Sequence, residues 1–446
     1  MNCQLISLNL RSPIETSSLC PVCKQIVTAN IYEEASQVYM SKECPSHGLF
    51  KSLICSDVDF YLPVEKYNRP GKKYMINQYA VTNYVGCPNS CGLCPEHQQH
   101  TCVGILEVTK RCDQGCPICY ASSTKNGEDS TLEELISRLK FLSRCEKEKP
   151  TLVITGGEPT LRSDLVDLVS EARELGYTYM SLSTNGLHLA KNPILVRELA
   201  KAGLKELNLS FDSVDDSVYE LLRGHKLYSL KKQAVEVAKQ AGLKVVLNVT
   251  LVKNVNDKQI GAIIEFAKKM RVDGIVFSPV AFVGRFCAEF FDPLNRITIP
   301  DVIKSIQWYT NGEVSATDFL PSPCADTHCT ALTYVFNDQG HFIPLTRYCD
   351  VSKLDSYGEK PKDQEPIISA VLDKLLSMSS KARDECLEDM GKCCSAVSFI
   401  DKVMGIQVHA FQDPWTFDLK RCKKCCLHVV LNDKLIPFCV YNNLYR

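Results

Sequence analysis

From residue 103 onward the chain switches repeatedly between two hydrophobic periods. Short runs rich in Val, Leu and Ile at 103–109, 151–156, 178–184, 205–211, 244–252 and 274–280 are bounded by polar loops. Between them, 131–144, 164–175, 194–202, 229–241 and 258–270 carry apolar residues at three- and four-residue steps, as in LEELISRLKFLSR and SLKKQAVEVAKQAG. Strands alternating with helices in this way predict an α/β fold with a parallel sheet. VVLNVTLV and KELNLSF read as strands buried on both faces. Six such units predict a partial (βα)6 parallel barrel over 103–300, with its chemistry on loops at the carboxyl ends of the strands.

The flanks have a different texture. Residues 1–66 read as a small module with hairpin strands near 26–32 and 37–42, and 67–102 as a linker that opens on the polar stretch GKKYMINQ. Residues 301–446 read as a cysteine-rich C-terminal region, with a hairpin in LTYVFNDQGHFIPLTRYC turning at 338–340 and a helix over 366–380.

Charge and length narrow the function classes. Fifty-one basic and 52 acidic residues in 446 leave a formal net charge of -1, which gives no overall pull toward nucleic acid. No apolar run reaches membrane-spanning length, and MNCQLISLNLRS lacks the apolar core of a signal peptide, so the expected location is the cytoplasm. Twenty-four cysteines in a long chain of this pattern point to metal rather than to a disulfide framework.

The cysteines fall into groups. Cys112, Cys116 and Cys119 follow the first barrel strand with C-x3-C-x2-C spacing, and Tyr120 comes next. Three close thiolates hold three irons of a 4Fe–4S cluster and leave the fourth iron open to a chelating small molecule; the alternative is a structural zinc site. Cys87, Cys91 and Cys94 repeat the spacing upstream, with Cys102 or a distant cysteine as fourth ligand; His97 and His100 read as solvated loop residues or, less often, as ligands. Cys20, Cys23 and Cys44, completed by His47 or Cys55, make a rubredoxin-like or zinc-ribbon site for one iron or zinc ion. In the C-terminal region Cys324, Cys329 and Cys349, with Cys426 or Cys439, are the candidates for a further cluster.

Polar motifs fall at the predicted strand ends. Gly156, Gly157, Glu158 and Pro159 follow the second strand; glycines let a backbone approach a ligand closely, and a carboxylate grips an amino group. Ser183 and Asn185 follow the third strand, and Ser210 and Asp212 the fourth, as ribose or carboxylate contacts or as caps. Asn248 sits in an apolar strand and needs a partner. Arg285 reads as a carboxylate or phosphate contact or a salt bridge. Phe282, Phe286, Phe290 and Phe291 read as an apolar channel wall, a bilayer contact or packing.

Strand, C-x3-C-x2-C, Tyr120 and GGEP together resemble the radical S-adenosyl-L-methionine (SAM) superfamily. Over nearly the whole chain, the order LCPVC…ECPSHG, GCPNSCGLCPEHQQHTC, EVTKRCDQGCPICYA and CCLHV…IPFCVYN is similar to the archaeal tetraether lipid synthases and their relatives. The resemblance implies that the Cys112 cluster binds SAM, with Tyr120, the GGEP residues, Ser183, Asn185, Ser210, Asp212 and Asn248 around it. It implies reductive SAM cleavage, hydrogen abstraction from unactivated C–H bonds, and coupling of the chain termini of an archaeal diether lipid. It further implies two auxiliary 4Fe–4S clusters, a ferredoxin or flavodoxin as electron donor, and a peripheral membrane contact. Pterin methylation, which the resemblance also covers, and peptide modification are the other substrate readings. An iron–sulfur electron carrier is the reading from another class, and GGEP weighs against it because a carrier needs no SAM site.

Overall fold

The computed structural model describes residues 12–71, 86–92, 94–322, 324–338, 340–347 and 403–446. Cys349 and the helix expected at 366–380 lie outside the described residues. At the N-terminus four antiparallel strands run in sequence order: β1 (Ile14–Leu19), β2 (Ile26–Glu34), β3 (Gln37–Cys44) and β4 (Gly48–Cys55). A short helix α1 (Val58–Tyr61) follows. The six expected barrel strands are all present: β5 (Val103–Thr109), β6 (Thr151–Gly156), β7 (Met180–Thr184), β8 (Glu206–Ser210), β9 (Lys244–Leu251) and β10 (Gly274–Pro279). They are parallel, and each pairs with its neighbour in sequence.

Helices α2 (Leu132–Cys145), α3 (Leu165–Glu174), α4 (Leu187–Lys191), α5 (Pro193–Ala202), α6 (Asp216–Arg223), α7 (Tyr228–Gln240), α8 (Ile260–Met270) and α9 (Ile299–Tyr309) cover one side of this sheet. Their starts follow local chemistry. Thr131 and Glu134 form a capping box on α2, and Asn192 caps α5 ahead of Pro193. The short helices α4 and α6 go beyond the sequence-based expectation.

One face of the strands is buried beneath the helices, through Leu106, Ile154, Leu182, Leu207, Leu247 and Phe277. The other face is mixed, with Ile105, Val153, Val246 and Val276 among polar residues that are mostly half-buried toward the carboxyl ends. On it Glu107 pairs with Thr155, Ser183 with Asn208, Ser210 with Asn248, and Thr250 with Ser278. Burial of these strands on both faces, expected from their apolar content, is therefore incorrect. The alternation in LNLS and LNVT puts every second residue into the barrel lumen, because successive side chains of a strand point to opposite faces.

Segments from the C-terminal region continue the sheet at both edges. Beside β10 lie β13 (Val403–His409, parallel), β11 (Thr330–Asp338) and β12 (His341–Pro344). Beside β5 lie β14 (Leu427–Leu431, parallel) and β15 (Lys434–Pro437). An open parallel sheet would expose unpaired backbone at each edge, and these strands satisfy it.

The N-terminal sheet docks on the loop at 413–418. Thr16 Oγ1 donates to Asp418 Oδ1 at 2.6 Å, Lys42 Nζ to the Pro414 carbonyl at 2.6 Å, and Ser52 Oγ to the Trp415 carbonyl at 2.7 Å. Phe282, Phe286 and Phe291 form one aromatic cluster with Trp415 at this junction, and Phe290 packs near Ile118. Phe282, Phe286 and Phe291 serve packing between barrel and N-terminal sheet, Phe290 packs with Val218 and Leu222, and the channel and bilayer readings of them are set aside. No helix among the described residues is long and apolar enough to cross a membrane.

Candidate active site and cysteine centres

The loop carrying Cys112, Cys116 and Cys119 leaves the carboxyl end of β5 and is braced from several sides. Cys112 N–H donates to the Thr124 carbonyl at 2.8 Å, and Cys119 exchanges backbone hydrogen bonds with Arg285 at 2.8 and 2.9 Å. The Arg285 side chain donates through Nε to the Cys116 carbonyl at 2.6 Å. Arg285 is thus a brace for the cysteine loop, and no carboxylate or phosphate contact is needed to explain it. Arg223 donates to the Ile118 carbonyl at 3.0 Å. With these carbonyls tied back, the three thiols are presented together at the strand end. Burial pushes the Cys112 thiol up to about 11 and raises Cys116. Deprotonating them requires nearby positive charge, which a cluster's irons would supply. The donor set and its bracing fit a three-thiolate cluster site.

The GGEP residues meet this loop rather than open space. Gly156, at φ +148°, and Gly157 lie so close to it that a Cβ would stand 2.3 Å from the Thr109 carbonyl oxygen and 2.0 Å from that of Arg111. Backbone hydrogen bonds of 2.8 Å run from Gly157 N–H to Thr109 and from Glu158 N–H to Arg111. The glycines are there for contact between two backbones, and the expectation of an approach to a ligand is corrected accordingly.

Glu158 is fully buried. Its Oε1 accepts from Thr160 N–H (3.1 Å), Thr160 Oγ1 (2.6 Å) and Thr184 Oγ1 (2.7 Å), and its Oε2 accepts from Asn185 N–H (2.6 Å). Burial raises its pKa and the four donors pull it back. The carboxylate is a bolt between the ends of β6 and β7, not the free amino-group ligand expected from sequence. Pro159 opens the short turn Pro159–Leu161 that the bolt caps.

Asn185 is held in turn. Its Nδ2 donates to Asp113 Oδ1 at 2.9 Å, and its carbonyl accepts from the buried Lys231 Nζ at 2.6 Å. Asp212, expected to meet ribose or a carboxylate, instead forms a two-point ion pair with Arg223 at 2.7 and 2.9 Å and accepts from Thr250 N–H at 3.1 Å. Through Arg223 it steadies the cysteine loop. Ser183, Ser210 and Asn248 are half-buried on the lumen face, and among the described residues their side chains have no hydrogen-bond partner. Asn248 thus has no side-chain partner among the described residues and faces the lumen. The Tyr120 ring rests against Phe438 with centroids 5.8 Å apart.

The remaining cysteines sort into separate sites. Cys20, Cys23, Cys44 and His47 bring their ligand atoms within 4.8 Å of one another. Cys23 and Cys44 Sγ are 3.9 Å apart, close to the roughly 3.8 Å that a tetrahedral ion with 2.3 Å metal–sulfur bonds imposes. His47 therefore completes this set. Cys55, the other candidate, donates to the Asp57 carbonyl and is an ordinary buried thiol pushed up to about 12.

Cys102 joins Cys324 and Cys426, with all three sulfurs within 4.8 Å of one another. That separates Cys102 from Cys87, Cys91 and Cys94, and separates Cys324 from Cys329. Cys329 instead lines a small cavity with Cys422, Cys425 and Cys439, and Cys426 lines it too, so this cavity adjoins the Cys102 group. There Arg421 Nη2 donates to Cys329 Sγ at 3.4 Å, and Gln412 donates to Cys422 Sγ at 3.2 Å and to Cys439 Sγ at 3.4 Å. Thiolates accept such bonds and thiols gain little from them. His97, expected to be solvated, is buried, with Nε2 2.9 Å from the Cys425 carbonyl and 3.0 Å from His428 Nε2. His100 Nε2 lies 3.8 Å from Cys102 Sγ.

The sequence reading missed several residues here. Lys231 occupies an apolar position of α7, in step with Ala234, Val235 and Ala238, and a lysine there was the available signal. Cys422 and Cys425 form a C-x2-C pair that was visible in the chain. Asp113, Thr160 and Arg223 carried no local signal, since only the fold brings their partners near.

A partial parallel barrel with a braced three-cysteine loop on its first strand, a buried carboxylate bolt on its second and a polar lumen is the arrangement of a radical SAM enzyme. The radical SAM superfamily profile matches residues 106–267, and the HMPTM N-terminal zinc ribbon domain matches 13–56. The chain is 34% identical, over 97% of its own length and 94% of the relative's, to the 7,8-dihydro-6-hydroxymethylpterin dimethyltransferase of Methanocaldococcus jannaschii. It is also 34% identical to the GTP 3',8-cyclase of Marinobacter nauticus, over 38% of this chain and 51% of that one. Among solved structures, Streptococcus suis SuiB bound to S-adenosylmethionine aligns over 48% of this chain and 47% of its own, at 18% identity and a TM-score of 0.38. The chain belongs to the radical SAM superfamily, with an N-terminal zinc-ribbon domain.

Proposed function

We propose that this radical SAM enzyme modifies a small polar heterocycle of the pterin class held in its barrel lumen. The observation that carries this is the lumen wall itself, where Ser183, Asn208, Ser210, Asn248 and Thr250 offer amide and hydroxyl groups. Such a surface would leave polar groups unpaired against a hydrocarbon chain and pairs them against a ring rich in nitrogen and oxygen. The full-length similarity to a pterin dimethyltransferase supports the same reading.

Cys112, Cys116 and Cys119 would hold the SAM-binding cluster. When bound there, a reduced 4Fe–4S cluster supplies the electron that splits SAM into methionine and a 5'-deoxyadenosyl radical, whose chemistry belongs to the cofactor. The protein's part is positional. Arg285 and Arg223 keep the cysteine loop in place, Glu158 and Lys231 set the Asn185 turn, and Ser183, Ser210 and Asn248 face the bound groups. Cys87, Cys91 and Cys94, and Cys329, Cys422, Cys425 and Cys439, would hold auxiliary clusters, and the tighter Cys102, Cys324 and Cys426 group would hold a further metal. One zinc or iron ion fits at Cys20, Cys23, Cys44 and His47. An external electron donor completes the reaction.

A second reading keeps coupling of lipid chain ends. It is favoured by the number of cysteine groups beyond the SAM site, since joining two carbons requires holding the first radical until the second forms.

The test is anaerobic turnover of the reconstituted, reduced enzyme with SAM and either 7,8-dihydro-6-hydroxymethylpterin or archaeal diether lipid, read by mass spectrometry. Modified pterin with 5'-deoxyadenosine is the expected result. Coupled lipid with unchanged pterin would overturn the first reading in favour of the second. Cys116→Ala should abolish deoxyadenosine formation while the other sites keep their metal.

A further inference from the structure

Segment Phe438–Arg446 touches three of the cysteine loops. Cys439 lines the cysteine-rich cavity with Cys329, Cys422 and Cys425. Tyr445 Oη accepts from Cys91 N–H at 3.3 Å and lies 3.2 Å from the Pro88 and Asn89 carbonyls. Tyr441 Oη donates to Glu107 Oε2 at 2.6 Å. Arg446 then reaches the loop of the SAM-binding triplet. Its Nε donates to Asn442 Oδ1 at 2.8 Å, its Nη1 to the Ala121 carbonyl at 3.4 Å, and its Nη2 pairs with Glu107 Oε1. The guanidinium carbon stands 5.5 Å from the Tyr120 ring centroid and 5.1 Å from that of Tyr441.

We propose that Arg446 is a positioning residue for SAM cleavage, holding Tyr120 beside the third cluster cysteine and neutralising Glu107 on the lumen wall. Tyr120 is 43% exposed, and its ring is flanked by this guanidinium and Phe438 while its hydroxyl meets Thr155. Glu107 and Arg446 side chains are only 15% and 16% exposed, so their pairing is weakly screened, and without it Glu107 would keep its charge with only the Tyr441 hydrogen bond to offset it. A planar guanidinium stands near two rings and forks to three acceptors at once. An ammonium offers the charge without the plane. The Tyr441 and Tyr445 contacts fix the segment before any ligand arrives, so the position is built in.

The inference rests on radical SAM chemistry and on neither substrate, so failure of the pterin or lipid assay leaves it standing. The test uses reconstituted holoenzyme, with KM for SAM and kcat read from 5'-deoxyadenosine and the reduced cluster followed by electron paramagnetic resonance with and without SAM. Arg446→Ala is expected to raise KM for SAM about tenfold, equivalent to roughly 1.4 kcal/mol, with iron content unchanged. Arg446→Lys should fall between Arg446→Ala and the parent, and adding Glu107→Gln to Arg446→Ala should recover part of the loss by removing the uncompensated charge. An unchanged KM and unchanged SAM-induced spectral shift in Arg446→Ala would overturn the proposal. Loss of iron in that variant would also overturn it, because the residue would then be holding the fold.

Discussion

Glu158→Gln separates two roles that a carboxylate at this position can have. The native side chain accepts four hydrogen bonds, two of them from the backbone N–H groups of Thr160 and Asn185 on opposite oxygens. An amide has one oxygen. Whichever way it turns, its NH2 faces one of those N–H groups, and neither can rotate away. The hydroxyls of Thr160 and Thr184 can turn to accept, so they do not add to the loss. One buried backbone donor left without a partner costs about 1–3 kcal/mol. Because Asn185 reaches Asp113 beside Cys112, the same change loosens the cluster loop. Guanidinium unfolding of the parent and the variant would read the stability loss, and SAM titration would read the change in affinity. A falling midpoint together with weaker SAM binding is expected. If SAM binding weakened while the unfolding midpoint stayed put, the carboxylate would be a direct ligand of the SAM amino group and the bolt argument would fail.

Asp212→Asn takes the counter-charge from the largely buried Arg223 and should cost about 3–5 kcal/mol in denaturant unfolding; a loss below 1 kcal/mol would show that the guanidinium finds another partner. Burial holds Lys231 at about 8, below the 10.5 of a free lysine, so the unfolded chain binds the extra proton between those values. Stability should therefore gain as pH rises from 8 toward 10.5, and Lys231→Met should lose that gain; parallel curves for the two proteins would refute the assignment. Cys425→Ser should lower bound iron by up to about four atoms per chain and leave SAM cleavage intact, and unchanged iron would remove the Cys329 and Cys425 cavity from the cluster sites. Cys44→Ala should release a single metal ion on elemental analysis without loss of cluster iron.

The parallel barrel was legible in the sequence because its signal is local. Each βα unit announces itself by a change of period, and the bounds of β5 and β6 agree with the expected runs to the residue. The Cys112, Cys116 and Cys119 loop was legible because its three ligands sit within one turn of chain, and the Cys20, Cys23 and Cys44 set because hairpin strands bring its two halves together. Strand polarity was within reach as well. The alternation in LNLS and LNVT marks a half-open lumen wall, yet the apolar content of those strands outweighed it.

Other features depend on residues far apart in the chain. That Cys102 belongs with Cys324 and Cys426 follows from β14 lying against β5, a pairing between segments more than three hundred residues apart. The protein partners of Glu158, Asp212 and Arg285 were out of reach for a related reason. A polar residue at a strand end reads as open to a ligand until the neighbouring strand, helix or loop is seen to fill its valences. Sequence by itself determined the units, the metal-binding chemistry and the end of the barrel where that chemistry sits. Tertiary structure decided which cysteines share a site and which polar groups remain open, because both depend on desolvation and contact between parts of the chain that no local pattern connects.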